Sequence, residues 1–247
     1  MSQVITSDPA ECAGRVQRRP SFGSPKSEHL IEGPQRVSGH AGIVTALQTG
    51  IARRLKRERR RRKIGRAYDM ALEIARVLPY GSEVLDIGCG NGFIAHHLGA
   101  MLGRVAVGID LGHTTEAPID YRQYEGAGFP TPDNSFDAVL LCYVLHHAQD
   151  VSVVLNEVRR VLREGGVAVI YEDMPQRLWD KGVCWIHNQQ WRARTGPCTF
   201  RCAHEWRALF RWFGFEIVRE RSLSRWRNLT HPVSRRLYVL RLTQIHR

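Results

Sequence analysis

Asp86, Gly88, Gly90 and Gly92 stand at alternate positions in the stretch Val84–Leu98, VLDIGCGNGFIAHHL. The apolar run Val84, Leu85 and Ile87 predicts a buried strand. Phe93, Ile94, Ala95 and Leu98 recur at helical spacing, so the stretch reads strand, tight turn, helix. Glycines let such a turn bend sharply and let a ligand approach the main chain. The helix beyond presents unpaired N–H groups and a positive dipole end, and in open α/β sheets ligands bind at this end of the strands. A dinucleotide turn has its third glycine where this chain has Phe93. Asp86, just before the first glycine, would also repel a pyrophosphate. The carboxylate suits a cationic or amino-bearing ligand instead.

A second acid fits the same picture. Arg104–Asp110, RVAVGID, reads as an apolar strand ending in a carboxylate, 24 residues past Asp86. A carboxylate there can accept two hydrogen bonds from a ribose diol, because both oxygens are acceptors and both hydroxyls donors. With this partner, the D-x-G-x-G-x-G stretch resembles motif I of the class I S-adenosylmethionine-dependent methyltransferases. Phe129–His147, FPTPDNSFDAVLLCYVLHH, resembles a block of their ubiquinone/menaquinone-type small-molecule branch (methyltransferase type 11). Glu157–Ile170, EVRRVLREGGVAVI, resembles the E-x-x-R-V-L-x-x-G-G stretch that follows in those enzymes.

The resemblance covers about Tyr68–Leu242. It implies a Rossmann-like α/β fold: a seven-stranded, mostly parallel sheet with a C-terminal antiparallel hairpin and helices on both faces. It implies S-adenosylmethionine as cofactor and a small molecule as methyl acceptor. The positions it assigns to the cofactor are Asp86, Gly88, Cys89, Gly90 and Asn91 in the turn, Asp110 and Leu111 after the second strand, and Glu125 with Gly126 near the adenine. Cys142 and Tyr143 fall beside the methionine part, and Tyr68, of the pair Tyr68-Asp69, falls in the helix that closes over the site, where it reads equally as an ordinary helix-packing aromatic. Asp137 is structural in such proteins. One departure stands out: Leu111–Ile119, LGHTTEAPI, has a proline and no apolar period where relatives carry a helix, and it reads as a loop.

A hydroxyl acceptor needs a base, and an imidazole has the right intrinsic pKa. The catalytic candidates are His146, His147 and Glu172, with Asp173 and His204 nearby in the reading; an enolate carbon or an amine would need no base. Cys184, His187, Cys198 and Cys202 have spacings that invite zinc, but buried thiols and substrate-facing histidines are the preferred reading, and no metal is expected. Two other classes of function compete. One is an RNA or protein methyltransferase guided by basic termini, against which stands the lack of an N-P-P-[YF] motif after the fourth strand. The other is a non-catalytic S-adenosylmethionine-binding protein.

The elements that must position these residues follow from the rest of the chain. Residues 1–41, rich in Pro, Ser, Gly and Arg, read as a disordered basic lead-in, and 42–64 as a basic helix carrying the run Arg53–Lys63. Residues 65–247 read as the methyltransferase domain. It opens with a helix over Gly65–Leu78 and contains a substrate-covering insertion over about 174–204, where periodicity is weak and aromatics are many. A helix is expected over Val151–Glu164, stopped by Gly165-Gly166, with a strand over Val167–Tyr171.

The net charge of +12 is uneven. Residues 1–66 hold 15 basic and 5 acidic residues, 67–200 hold 10 and 16, and 201–247 hold 11 and 3. The basic ends suit weak contact with an anionic membrane surface or nucleic acid. Six scattered cysteines are not a disulfide framework. With no basic-then-apolar leader in the sequence, a cytoplasmic location is expected.

Overall fold

The structure, a computed structural model, describes residues 39–126, 128–228 and 231–243. The chain divides into two compact units, Met1–Gly50 and Ile51–Arg247. The expected lead-in falls largely outside the described residues, and apart from the start of the first helix everything below concerns the second unit.

Seven strands make one sheet: β1 (Val84–Ile87), β2 (Val107–Asp110), β3 (Asp120–Gln123), β4 (Phe136–Cys142), β5 (Leu162–Asp173), β6 (Phe215–Leu223) and β7 (Arg235–Leu242), in the spatial order β3-β2-β1-β4-β5-β7-β6. The first five run parallel. β7 runs antiparallel to both β5 and β6 and closes the sheet as a hairpin with β6. Strand order reverses between β1 and β4. That is the switch point at which open α/β sheets bind ligands, outside the carboxyl ends of the strands.

Alternation along each strand divides the interior into two layers. Leu85 and Ile87 of β1, Val139 and Leu141 of β4, and Ala168 and Ile170 of β5 join one core. It packs under α3 (Val151–Val161) and α5 (Ala203–Trp212), through Leu155, Val158, Trp206 and Phe210. Val84, Ala138, Leu140, Val169 and Tyr171 join the other, packed by Leu98 and Leu102 of α2 (Phe93–Leu102) and by Ala71 and Ile74 of α1 (Gly39–Ala75). Asp137, at the β4 entrance, accepts the Glu83 N–H at 2.8 Å and pairs with Arg163, a structural role.

Three boundaries differ from the sequence reading. The segments expected as separate helices over 42–64 and 65–78 are one element, α1, because Gly50 and Gly65 cost a helix only about 1 kcal/mol each and no proline interrupts them. All of Arg53–Lys63 is exposed on it. α3 ends at Val161, and β5 begins at Leu162; Phe136 pairs with Leu162 and Ala138 with Val167, so Arg163–Gly166 is an excursion within the strand. Gly165, at φ +71°, turns that excursion and does not stop the helix. The weakly periodic 174–204 segment contains an 18-residue helix, α4 (Leu178–Thr195). Its inward stripe is Asp180, Cys184, His187 and Asn188, at helical spacing but polar, so no apolar period marks it. The segment Leu111–Ile119 is a loop, as its composition indicates.

Candidate active site

The turn after β1 is built by backbone geometry. Gly88, Gly90 and Gly92 all have positive φ, at +66°, +55° and +74°. A Cβ on Gly88 would meet Val144 at 2.6 Å, whereas one on Gly90 would meet nothing within 4 Å. Gly88 therefore gives close packing, and Gly90 leaves open space above the turn. Asp110 fixes the other wall: its carboxylate accepts the Gly90 N–H at 2.8 Å and the Gly112 N–H at 3.0 Å. Asp86 is 1% exposed, and its Oδ2 has no hydrogen-bond partner. Burial, reinforced by the Asp110 charge, pushes its pKa up to about 7.

Gly88, Gly90 and Asp110 open into one cavity of about 1310 Å³, and Asp86 is buried without lining it. Ordinary small-ligand pockets hold about 300–1,000 Å³, so this one has room for two reactants. Gly88, Gly90, Asp110, Leu111, Glu125 and Gly126 line it, as do Tyr143, His146 and His147. Tyr143 sits at φ +65°, a strained conformation for a non-glycine residue, at the β4 terminus.

Other predicted residues stand beside the cavity without lining it. Cys89 packs its sulfur against Gly108. The Asn91 side chain is taken up by Lys63 and Glu116, and Glu116 also pairs with Arg60 at 3.0 Å, which ties α1 to the 111–119 loop. Cys142 belongs to the α2-side core. Tyr68 is a correction: it is 48% exposed and packs edge-on against His97 at 5.4 Å, while Arg66, Asp69 and Met70 face the cavity. Each helical residue turns the side chain about 100°, so the neighbours of Tyr68, and not Tyr68, have the right bearing.

Glu172 is also corrected. It is fully buried, absent from the cavity wall, and accepts the Leu145 N–H at 2.7 Å through Oε1. Its Oε2 lies 2.7 Å from His146 Nδ1. Glu172 thus positions His146 and the loop after β4 from behind the cavity wall. Burial opposes the imidazolium of His146, but Glu172 and Asp173 outweigh it and the pKa is raised. His147 goes the other way, pushed down to about 3 by burial and by His146 and His187. His187 falls to about 4 through burial, His146 and His231.

The cysteine-histidine quartet is not assembled. His187 stands with His146 and His147, whereas Cys202 contacts His204 and Glu205. Sequence offers Asp173 only as a further candidate base and does not single out His231. Asp173 is an ion-pair partner of Arg235 at 2.9 Å and of His231 at 2.8 Å, and all three line the cavity. His231 lies in a loop before β7 with no motif around it; only the pairing of β7 with β5 brings it in.

Fold and site together define a Rossmann-like methyltransferase of class I. The methyltransferase domain family matches residues 56–220, and the chain belongs to that family. It is 33% identical over 114 residues to a sterol 24-C-methyltransferase of Gibberella zeae, covering 40% of this chain and 30% of that one. It is 30% identical over 107 residues to a 2-phytyl-1,4-naphtoquinone methyltransferase of Synechococcus elongatus, covering 37% and 46%. The matched region is thus less than half the length of either relative. Among solved structures, an S-adenosylmethionine-dependent methyltransferase of Methanosarcina mazei superposes with a TM-score of 0.55 at 21% identity, covering 69% of this chain and 96% of that one. At that identity the likeness speaks for the fold.

The residues present fit S-adenosylmethionine. An open glycine turn, an acid anchored by two backbone N–H groups, and a buried carboxylate with an unpartnered oxygen suit a nucleoside that carries positive charge.

Proposed function

We propose that the protein transfers a methyl group from S-adenosylmethionine to a small apolar acceptor. The observation that carries this reading is one cavity joining the acid-flanked glycine turn to a wall of imidazole and aromatic rings. The cofactor, when bound, supplies a methyl group on a positively charged sulfur. Asp110 would take the ribose hydroxyls, Leu111 and Glu125 would border the adenine, and Gly88, Gly90 and Tyr143 would border the methionine end. Asp86 balances the positive charge from beneath. Holding two reactants in near-attack geometry can supply roughly 7–11 kcal/mol of a barrier, and positioning is this chain's main contribution. His146, His147 and His187 form the polar end of the chamber, where an acceptor hydroxyl or enol can be hydrogen-bonded and oriented.

The acceptor is taken from an anionic bilayer surface. α4 turns His187 and Trp191 to the cavity and presents Leu178, Trp179, Trp185 and Ile186 outward, with Leu178 85% exposed and Trp185 64%. Arg177, Lys181 and Arg192 flank that face and are also exposed. An apolar, Trp-bearing face edged by cations is the pattern of helices that lie in the headgroup region. The names of the sterol and phytyl-naphtoquinone relatives agree with an apolar acceptor.

The test is methyl transfer from labelled cofactor to sterols and prenylated quinols in vesicles, beside RNA and protein controls. Product on the lipid acceptors supports the reading. Turnover on RNA alone moves it to the nucleic-acid class, and cofactor binding without any turnover moves it to a non-catalytic role. Trp185→Glu with Ile186→Glu should abolish flotation with anionic vesicles; undiminished flotation removes the membrane clause.

A further inference from the structure

Three imidazoles converge where α4 meets the loop after β4. One ring nitrogen from each of His146, His147 and His187 lies within 4.8 Å of the others. His147 Nε2 and His187 Nε2 are 3.3 Å apart. Two nitrogens bound to one tetrahedral zinc at about 2.0–2.1 Å stand about 3.4 Å from each other, so this pair already has the required separation.

Two of the three remaining ring nitrogens, those of His146 and His147, are held from behind. His146 Nδ1 is engaged by Glu172, which leaves Nε2 buried and without a hydrogen-bond partner. An unpartnered buried nitrogen is costly and asks for a reason. His147 Nδ1 is 3.2 Å from Thr195 Oγ1 and 3.3 Å from Cys198 Sγ. Metal-bound histidines are typically oriented in this way, through the nitrogen that does not bind the metal. Cys198 addresses the far side of His147 and is an orienting partner, not a ligand. Imidazole donors suit zinc, copper, iron and nickel better than magnesium or calcium.

We propose that His146, His147 and His187 form a three-histidine site for a divalent transition metal, zinc foremost, with a fourth position open to the cavity. Such a site would bind an oxygen of a ligand in the chamber. Its existence does not depend on methyl transfer.

The full chain, stripped with chelator and dialysed, is titrated with Zn2+ against a chromophoric competitor and separately with Co2+. The expected result is one equivalent bound, with the visible absorption of four- or five-coordinate cobalt. His187→Ala should weaken zinc at least 100-fold, and Glu172→Gln about 10- to 100-fold by releasing His146. Cys202→Ser should leave affinity unchanged. Less than a tenth of an equivalent in the wild-type chain overturns the proposal, whatever the variants do. So does zinc affinity that survives His187→Ala and is lost in Cys202→Ser.

Discussion

Replacing Asp86 by Asn should stabilise the cofactor-free protein, and by an amount that depends on pH in one direction only. Asp86 is buried beside Asp110 with Oδ2 unpartnered, and its folded pKa is about 7 against an ordinary 3.8. A difference of about 3 units at 1.36 kcal/mol per unit comes to about 4 kcal/mol. Because the folded value is the higher one, the native state keeps its proton longer than the unfolded chain does. The stability of the wild type is therefore full below the unfolded value, falls as pH rises between 3.8 and 7, and is lowest above 7. Asn is neutral throughout and can still accept the Ala95 N–H that Asp86 accepts. Urea unfolding at pH 8 should show the variant more stable by about 4 kcal/mol, or on the order of 10 °C in Tm. By pH 4 the two curves should meet within about 1 kcal/mol. The same variant should bind S-adenosylmethionine at least tenfold more weakly, a trade of function for stability that strained sites show. A stability difference that does not vary with pH, or a variant less stable at pH 8, refutes the reasoning.

Asp110→Ala removes the acceptor for two backbone N–H groups and for a ribose, and calorimetry should show cofactor affinity lower by about 1–3 kcal/mol; an unchanged Kd removes the ribose assignment. Gly88→Ala puts a side chain at φ +66° and against Val144, and thermal melting should register a loss of about 1–3 kcal/mol. Arg235→Met leaves Asp173 buried with His231 alone, where Arg235 and Asp173 are each 3% exposed, and denaturation should show a cost of about 3–5 kcal/mol. Adding Asp173→Asn to that variant should recover part of the loss, since no unbalanced charge then remains.

Which parts of the site could be read from sequence follows from how local their causes are. The turn Asp86–Gly92 and the strand ending at Asp110 announce themselves because a glycine at positive φ, an apolar run and a terminal carboxylate are all neighbours in the chain. Of the two roles sequence leaves open for Tyr68, the structure shows the packing one: periodicity marks the helix, but only packing against α2 sets its rotation, and that turns Asp69 and Met70 to the cavity. Glu172 was found as a carboxylate at a strand end, yet the N–H of Leu145 and the ring of His146, both distant in sequence, decide that it faces inward. α4 shows the deeper reason. Periodicity reveals a helix when its buried face is apolar, because apolar burial is what most helices are folded by. Here the face turned to the protein carries Asp180, Cys184, His187 and Asn188, and the face turned away carries Leu178, Trp179, Trp185 and Ile186. Asp180 and Asn188 are held by polar contacts to Ser234 and Cys198, so the helix is docked by hydrogen bonds and closed over a chamber. Of that inward side only His187 reaches the cavity; Asp180 and Asn188 are polar because they hold the helix down. A hydrophobic reading of sequence is blind to such a helix, because the contacts that dock it are polar.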